Sequence, residues 1–239
     1  NLADGTYTVT SSFSAGWATS PRSGIGKSYS FTFQFKVDST APTMNNVSTS
    51  STGKYTNSST YVSASDSMSG VECIYMKTPG NSSYGNMGTS TTVSSSGMNG
   101  LYSFYAKDKA GNTSRTYFLY LDTVKPTGKI KSSNGTEITG SYTNQTFSYS
   151  ATDSGSGISY LQYKKPGSSS WLTYTSGTSI SASAASGTYQ FRAVDKAGNI
   201  SATKSTTLDS SKPTMTLYSG DVSVSNGFKS IANYIKATA

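Results

Sequence analysis

The sequence contains no histidine, and its single cysteine is Cys73 among 239 residues. Without histidine, neither a Ser-His-Asp nor a Cys-His catalytic arrangement can form, and histidine-based metal sites are excluded as well. One cysteine cannot build an internal disulfide framework. These absences remove the most familiar hydrolase chemistries and the class of small disulfide-stapled domains.

Charge and long apolar runs are also scarce. Charged residues make up 13% and hydrophobic residues 33% of the chain, and no stretch has the length of a transmembrane helix or a signal peptide. Aromatic residues nevertheless reach 12%, including 18 tyrosines, which argues against disorder. Because Thr, Tyr, Val and Phe suit a pleated, half-buried surface, the composition predicts small β domains with thin cores. Since the chain starts at Asn1, we expect it to be a piece of a longer protein.

The net charge is +8, with a sequence pI of about 9.4. A basic protein attracts anionic partners, but here no basic run exceeds the pair Lys164-Lys165. Nucleic-acid binding and membrane insertion are therefore not expected. The low charge, the abundance of Ser and Thr and the near absence of cysteine are typical of a bacterial extracellular protein, secreted or attached to the cell wall.

The chain repeats itself at an offset of 87 residues, without a gap, from about Tyr55 to Pro126. Three junctions of the form Asp-x-x-x-Pro-Thr begin at Asp38, Asp122 and Asp209. They predict two complete modules at residues 38–121 and 122–208. Residues 1–37 are expected to be the C-terminal strands of a preceding module, with a long loop at 11–27, and residues 209–239 the N-terminal strands of a following one.

Alternation of apolar and polar residues, interrupted by Gly, Ser, Asn and Pro clusters, predicts about seven antiparallel strands in each module. Positions shared by both copies mark the core face, and positions that differ mark the solvent face. The predicted core positions are Tyr102, Phe104, Ala106, Val62 and Ala64, with counterparts Tyr189, Phe191, Ala193, Tyr149 and Ala151. The predicted solvent positions are Ser103, Tyr105 and Lys107, with counterparts Gln190, Arg192 and Val194.

This pattern predicts an all-β fold of immunoglobulin-like or fibronectin-III-like sandwiches, arranged as an elongated, semi-rigid tandem array. The tyrosine at the start of the sixth strand, Tyr102 or Tyr189, stands where such folds have a tyrosine corner.

Three motifs carry a resemblance to a known family. They are Ala64-x-Asp66-x-x-Ser69-Gly70-Val71, Pro79-Gly80-x-x-x-Tyr84 and Gly100-x-Tyr102-x-Phe104-x-Ala106-x-Asp108-x-Ala110-Gly111-Asn112-x-Ser114, each with a copy 87 residues later. Together with the Asp-x-x-x-Pro-Thr junction, they resemble the bacterial Ig-like repeat family over residues 38–213. The resemblance implies extracellular spacers, adhesins or accessory modules, usually without catalysis or a cofactor.

The string Asp-Lys-Ala-Gly-Asn, at 108–112 and 195–199, has two interpretations. The favoured one is a turn, with Asp at its first position and Gly in the left-handed region at its fourth, so that no metal is expected. The alternative is a calcium site at each module junction. Its ligands would be Asp38, Asp66 and Asp108 at one junction, and Asp122, Asp153 and Asp195 at the other.

Four residues are candidates for ligand contact. Trp17 and Arg22 lie in the predicted loop 11–27, whereas Trp171 and its counterpart Tyr84 could stack on a sugar ring. For Trp171 we favour packing at a strand edge. Cys73 is expected on the outer face of its strand, as an incidental thiol.

The sequence thus predicts a non-enzymatic chain, since it has no histidine and its only glutamates, Glu72 and Glu137, are at non-equivalent positions. We expect a spacer, stalk or adhesin region of a bacterial cell-surface or secreted protein. Its expected partners are neighbouring modules and a host or cell-wall glycan or protein. The alternative is a carbohydrate-binding accessory region of a large secreted carbohydrate-active enzyme.

Overall fold

The computed structural model describes residues 2–15, 27–219, 222–223 and 233–238, which form β-strands, turns and bends. No helix in this part of the chain is long and apolar enough to cross a membrane. The chain divides into two compact units, residues 1–124 with 196–198 and residues 125–195 with 199–239. The prediction of an all-β protein is confirmed.

The first unit begins with an antiparallel hairpin of β1 (Gly5–Ala15) and β2 (Lys27–Val37). The expectation of a loop from 11 to 27 is wrong at both ends, because residues 11–15 and 27 belong to these strands. Apolar and polar residues continue to alternate along both strands beyond residue 10. The rings of Phe13 and Tyr29 stack across the hairpin, with their centroids 5.4 Å apart. Trp17 and Arg22 fall within 16–26, outside the described residues.

Eight further strands complete the first unit. They are β3 (Thr43–Asn45), β4 (Lys54–Thr56), β5 (Thr60–Ser65), β6 (Val71–Lys77), β7 (Gly85–Asn86), β8 (Ser90–Val93), β9 (Gly100–Asp108) and β10 (Tyr117–Leu121). One sheet has the order β3-β5-β8 and the other β4-β10-β9-β6-β7. This is the strand order of an immunoglobulin-like sandwich. The module has one strand more than predicted, because its first strand splits between the sheets and β4 pairs parallel to β10.

The second unit repeats this architecture. Its strands are β11 (Thr127–Ser132), β12 (Tyr142–Thr143), β13 (Phe147–Thr152), β14 (Ile158–Lys164), β15 (Leu172–Tyr174), β16 (Gly187–Asp195), β17 (Lys204–Leu208), β18 (Thr214–Ser219), β19 (Val222–Ser223) and β20 (Asn233–Thr238). The sheets have the orders β11-β13, β12-β17-β16-β14-β15 and β19-β18-β20. The counterpart of β8 is reduced to a single bridge between Phe147 and Ile180.

The core of each sandwich lies where the repeat predicts it. The predicted core residues Tyr102, Phe104 and Ala106 and their counterparts Tyr189, Phe191 and Ala193 are all at most 5% exposed. Val62 and Tyr149 complete the two cores from the facing sheets.

The predicted solvent face is only partly confirmed. Ser103 and Val194 are buried, at 5% and 6% exposure, and the other four predicted solvent positions are half-buried. Strands β9 and β16 are flanked by a strand on each side. Larger neighbouring side chains can therefore cover the outer face as well.

A tyrosine corner is present in both modules, as predicted. The Tyr102 hydroxyl donates to the Met98 carbonyl at 2.9 Å, and the Tyr189 hydroxyl donates to the Ala185 carbonyl at 3.0 Å. Burial raises the pKa of both phenols. The bond fixes the loop that enters β9 in the first module and β16 in the second.

The repeated Pro-Gly and Gly-x-Tyr motifs meet at the start of each of these strands. Gly100 and Gly187 both have φ of 133°, a region that favours glycine. A Cβ at Gly100 would lie 2.9 Å from Pro79 Cβ, and one at Gly187 would lie 2.7 Å from Pro166 Cβ. Glycine is therefore required twice over, by its dihedral angle and by the proline that packs on it.

Candidate functional site

The repeated Asp-Lys-Ala-Gly-Asn string forms a hydrogen-bonded turn. Gly111 N–H donates to the Asp108 carbonyl at 3.2 Å, Asp108 N–H donates to the Asn112 carbonyl at 3.1 Å, and Gly111 has φ of 99°. In the second copy, Asp195 N–H donates to the Asn199 carbonyl at 3.1 Å, and Gly198 has φ of 96°. The predicted turn, with glycine in a positive-φ conformation, is confirmed in both copies.

Asn112 links this turn to the segment that enters the module. Its side-chain amide donates to the main-chain carbonyls of Asp38 at 2.9 Å and Thr40 at 3.3 Å, and to Asp108 Oδ2 at 2.8 Å. Its backbone N–H donates to Asp108 Oδ1 at 2.8 Å. Sequence reasoning explained the aspartate and the glycine but missed this role of the asparagine. Its recurrence at Asn199 was the available signal.

Asp38, Asp66 and Asp108 converge at this end of the module. Each offers a carboxylate oxygen, and the three oxygens lie within 4.8 Å of one another. The loop after β5 supplies Asp66, β9 ends at Asp108, and Asp38 follows β2. The prediction that these three side chains come together is confirmed.

Hydrogen bonds engage five of the six oxygens in this cluster. Asp38 accepts from the N–H groups of Thr40 at 3.0 Å and Ser69 at 2.9 Å, and both Asp108 oxygens accept from Asn112. Asp66 Oδ1 accepts from the N–H groups of Met68 at 3.1 Å and Gly70 at 2.8 Å. These bonds, that of Gly70 foremost, lower the pKa of Asp66 below its ordinary value.

The sixth oxygen, Asp66 Oδ2, is buried without a hydrogen-bond partner. Three carboxylates are suitable ligands for Ca²⁺, which takes six to eight oxygens. However, the five other oxygens are already engaged: four accept bonds from their own turn or loop, and Asp38 Oδ2 accepts from Ser69 N–H. The cluster is therefore a hydrogen-bonded network that stabilises these loops, and calcium binding at it stays a hypothesis.

In the second unit, Asp153 and Asp195 repeat the bonds of Asp66 and Asp108. Asp153 Oδ2 accepts from the N–H groups of Gly155 at 3.1 Å and Gly157 at 2.7 Å, while its Oδ1 is buried without a partner. The Asp195 carboxylate accepts both the backbone N–H and the side-chain amide of Asn199, each at 2.8 Å.

Asp122, the counterpart of Asp38 in the repeat, belongs to the first unit. There its N–H donates to the Thr56 carbonyl at 2.9 Å. The hypothesis of a calcium site formed by Asp122 with Asp153 and Asp195 stays a prediction.

Tyr84 lies on the outer face of the first module, among other aromatic rings. Its edge packs against Tyr105 at 4.9 Å, and Tyr105 stacks on Tyr75 at 4.7 Å between ring centroids. The Lys77 ammonium lies 5.3 Å from the Tyr84 ring.

Trp171 occupies the equivalent place in the second module, next to edge strand β15. The Arg192 guanidinium lies 4.2 Å and the Lys164 ammonium 4.9 Å from the Trp171 ring. Arg192 also donates to Gln162 Oε1 at 2.8 Å. These contacts agree with the favoured interpretation that Trp171 packs at a strand edge.

Cys73 lies on the strand face opposite to the core residue Ile74, as expected, but it is only 4% exposed. Its counterpart Tyr160 is 47% exposed. The small thiol is covered because it sits opposite Lys107, which pairs with Glu72 at 3.1 Å. The Cys73 thiol also forms a hydrogen bond with Tyr75, and this bond raises the pKa of the Tyr75 phenol. Cys73 is therefore not available as a surface nucleophile.

No protein-family model matches the chain, and no curated protein matches it. Among solved structures, it is similar to one described as fibronectin(III)-like modules of Clostridium thermocellum CbhA, with 17% identity and a TM-score of 0.37. The match covers 70% of this chain and 92% of that one. A similarity of this size says nothing about function, and the immunoglobulin-like fold follows from the strand order given above.

Proposed function

We propose that the chain is a non-catalytic series of immunoglobulin-like modules that serves as a spacer, stalk or adhesin region of a bacterial secreted or cell-surface protein. The observation that carries this proposal is that the repeated polar residues form bonds that stabilise the fold. They bond to their own module or to the segment entering it, and so they maintain the fold.

The bonds of the first module illustrate this. Asn112 holds the backbone of the entering segment at Asp38 and Thr40, and Asp66 closes its own loop through Gly70. A residue kept for catalysis would instead present its polar atoms to a cleft. The two glutamates are also engaged, Glu72 with Lys107 at 3.1 Å and Glu137 with Lys129 at 2.9 Å.

Single-molecule force spectroscopy tests the mechanical role. The chain is pulled between two handle domains of known unfolding length. We expect the modules to unfold in separate events, each releasing about 300 Å, because about 85 residues extend by roughly 3.5 Å each. A single event for the whole chain, or extension without a force peak, contradicts the role of a load-bearing spacer.

A second candidate function, carbohydrate binding by an accessory region, is favoured by the outer-face aromatics Tyr84 and Trp171. A glycan array tests it, with Trp171→Ala and Tyr84→Ala as the variants. Tyr160→Ala is the matched control, because Tyr160 is an exposed aromatic of the same module as Trp171. Loss of a glycan signal in the first two variants alone supports binding, whereas absence of any signal leaves the spacer role.

A further inference from the structure

The hairpin β1–β2 has one apolar face and one polar face. On one face its register places Tyr7 opposite Phe35, Val9 opposite Phe33, Ser11 opposite Phe31 and Phe13 opposite Tyr29. The pairs that alternate with these, on the other face, combine Ser, Thr, Gln and Lys. The apolar side chains are extensively exposed: Val9 40%, Phe13 56%, Tyr29 50%, Phe31 55%, Phe33 51% and Phe35 37%. Aromatic side chains bury about 150–250 Å² each, so this face leaves roughly 500 Å² uncovered, a large patch for an isolated soluble protein.

The same register occurs in the last two strands of both complete modules. Gly5 pairs with Val37, as Gly100 pairs with Leu121 and Gly187 with Leu208. The hairpin also has a tyrosine corner, since the Tyr7 hydroxyl donates to the Ala3 carbonyl, four residues earlier, at 2.8 Å. The strand register and the tyrosine corner both indicate that β1–β2 is the final hairpin of an immunoglobulin-like module.

The complete first module shows what covers such a face. Phe104 and Leu119, which correspond in register to Val9 and Phe35, are both 0% exposed. They pack in one core with Met44, Val62 and Val93 of the opposite sheet β3-β5-β8. The partner that fits the exposed face is therefore a sheet with the apolar positions of β3, β5 and β8.

We propose that the β1–β2 face docks a sheet of this kind supplied by the segment of the same polypeptide that precedes Leu2, completing a third immunoglobulin-like module. In the first module, residues 38–99 supply the corresponding strands before β9 begins. The segment is thus expected to be about 60 residues long. Contact within one polypeptide is favoured because a short tether gives a high effective concentration.

The test extends the gene upstream by the length of that segment and compares the extended chain with the present one. We expect the dye ANS to bind the present chain and to lose most of its fluorescence with the extended chain. Hydrogen exchange of the β1–β2 amides should slow towards that of β9–β10. Phe33→Ser should restore fast exchange in the extended chain, whereas Thr32→Ser, on the opposite face of the same strand, should not.

Phe33 is exposed in the present chain, so Phe33→Ser should leave both units of the present chain folded. This control shows that the substitution does not itself unfold the protein. Three results overturn the proposal. One is unchanged ANS binding and exchange in the extended chain, and another is an upstream sequence without alternating strands. The third is sedimentation of the present chain as a dimer that Phe33→Ser dissociates, because the occupant would then be a second copy.

Discussion

Replacing Asn112 by alanine tests whether the repeated turn holds the entering segment. The substitution removes two bonds to main-chain carbonyls, at 2.9 and 3.3 Å, each worth about 1 kcal/mol. It also removes the amide that donates to Asp108, whose side chain is 0% exposed. A buried charged acceptor that loses its donor costs about 1–3 kcal/mol. We expect a total loss of about 3–5 kcal/mol, a large fraction of the 5–15 kcal/mol typical of a domain.

Hydrogen exchange at increasing urea concentration, read by mass spectrometry, measures this loss for each unit separately. Peptides from β9 report on the first unit and peptides from β16 on the second. Asn81→Ala is the control, because the Asn81 side chain only accepts one exposed turn bond, from Ser83 N–H at 3.2 Å. Its loss should cost no more than about 0.5 kcal/mol.

The expected result is a loss confined to the first unit. Asn199→Ala should produce the corresponding loss in the second unit, because Asn199 donates to Asp195 in the same way. If Asn112→Ala costs no more than Asn81→Ala, the turn does not stabilise the module through this asparagine, and our reasoning about the repeat is refuted.

Three further predictions concern the first unit. The pKa of Asp66 is lowered mainly by Gly70 N–H, so its contribution to stability is complete above the unfolded value near pH 4 and is lost as the pH falls through the folded value. The melting temperature should therefore decrease as the pH is lowered below about 4, and it should decrease less steeply in Asp66→Asn. If the melting temperatures of the two proteins decrease in parallel below pH 4, this prediction is contradicted. Gly100→Ala should destabilise by about 1–3 kcal/mol in urea unfolding, because of its φ and the contact with Pro79. Tyr102→Phe removes only the corner bond and should cost about 0.5–1.5 kcal/mol in the same assay, and a neutral result would show that the corner is not stabilising.

The core face could be predicted from the sequence because it depends on a two-residue period that both copies share. Tyr102 and Phe104 recur as Tyr189 and Phe191, and a slip of one residue would have exposed all four. The turn at Asp108 could also be predicted from the sequence, because the positive φ of Gly111 is a local backbone conformation that favours glycine.

The burial of Cys73 could not be predicted, because it depends on the sizes of neighbours on adjacent positions and strands. The shortening of the β8 counterpart in the second module could not be predicted for a similar reason. There the Tyr174 hydroxyl accepts from Tyr149 N–H at 3.0 Å, in the place of a strand partner. Its counterpart in the first module is Met87, whose thioether is only a weak acceptor. A tertiary contact of this kind leaves no periodic signal.

The asparagine that holds the entering segment bonds to carbonyl oxygens, which every residue possesses. The three residues after the junction aspartate accordingly differ between copies: Ser39-Thr40-Ala41, Thr123-Val124-Lys125 and Ser210-Ser211-Lys212. A joint recognised through its main chain does not need a matching side chain on the other partner. The residues of this junction can therefore change by point mutation while the two carbonyl acceptors of the Asn112 amide remain.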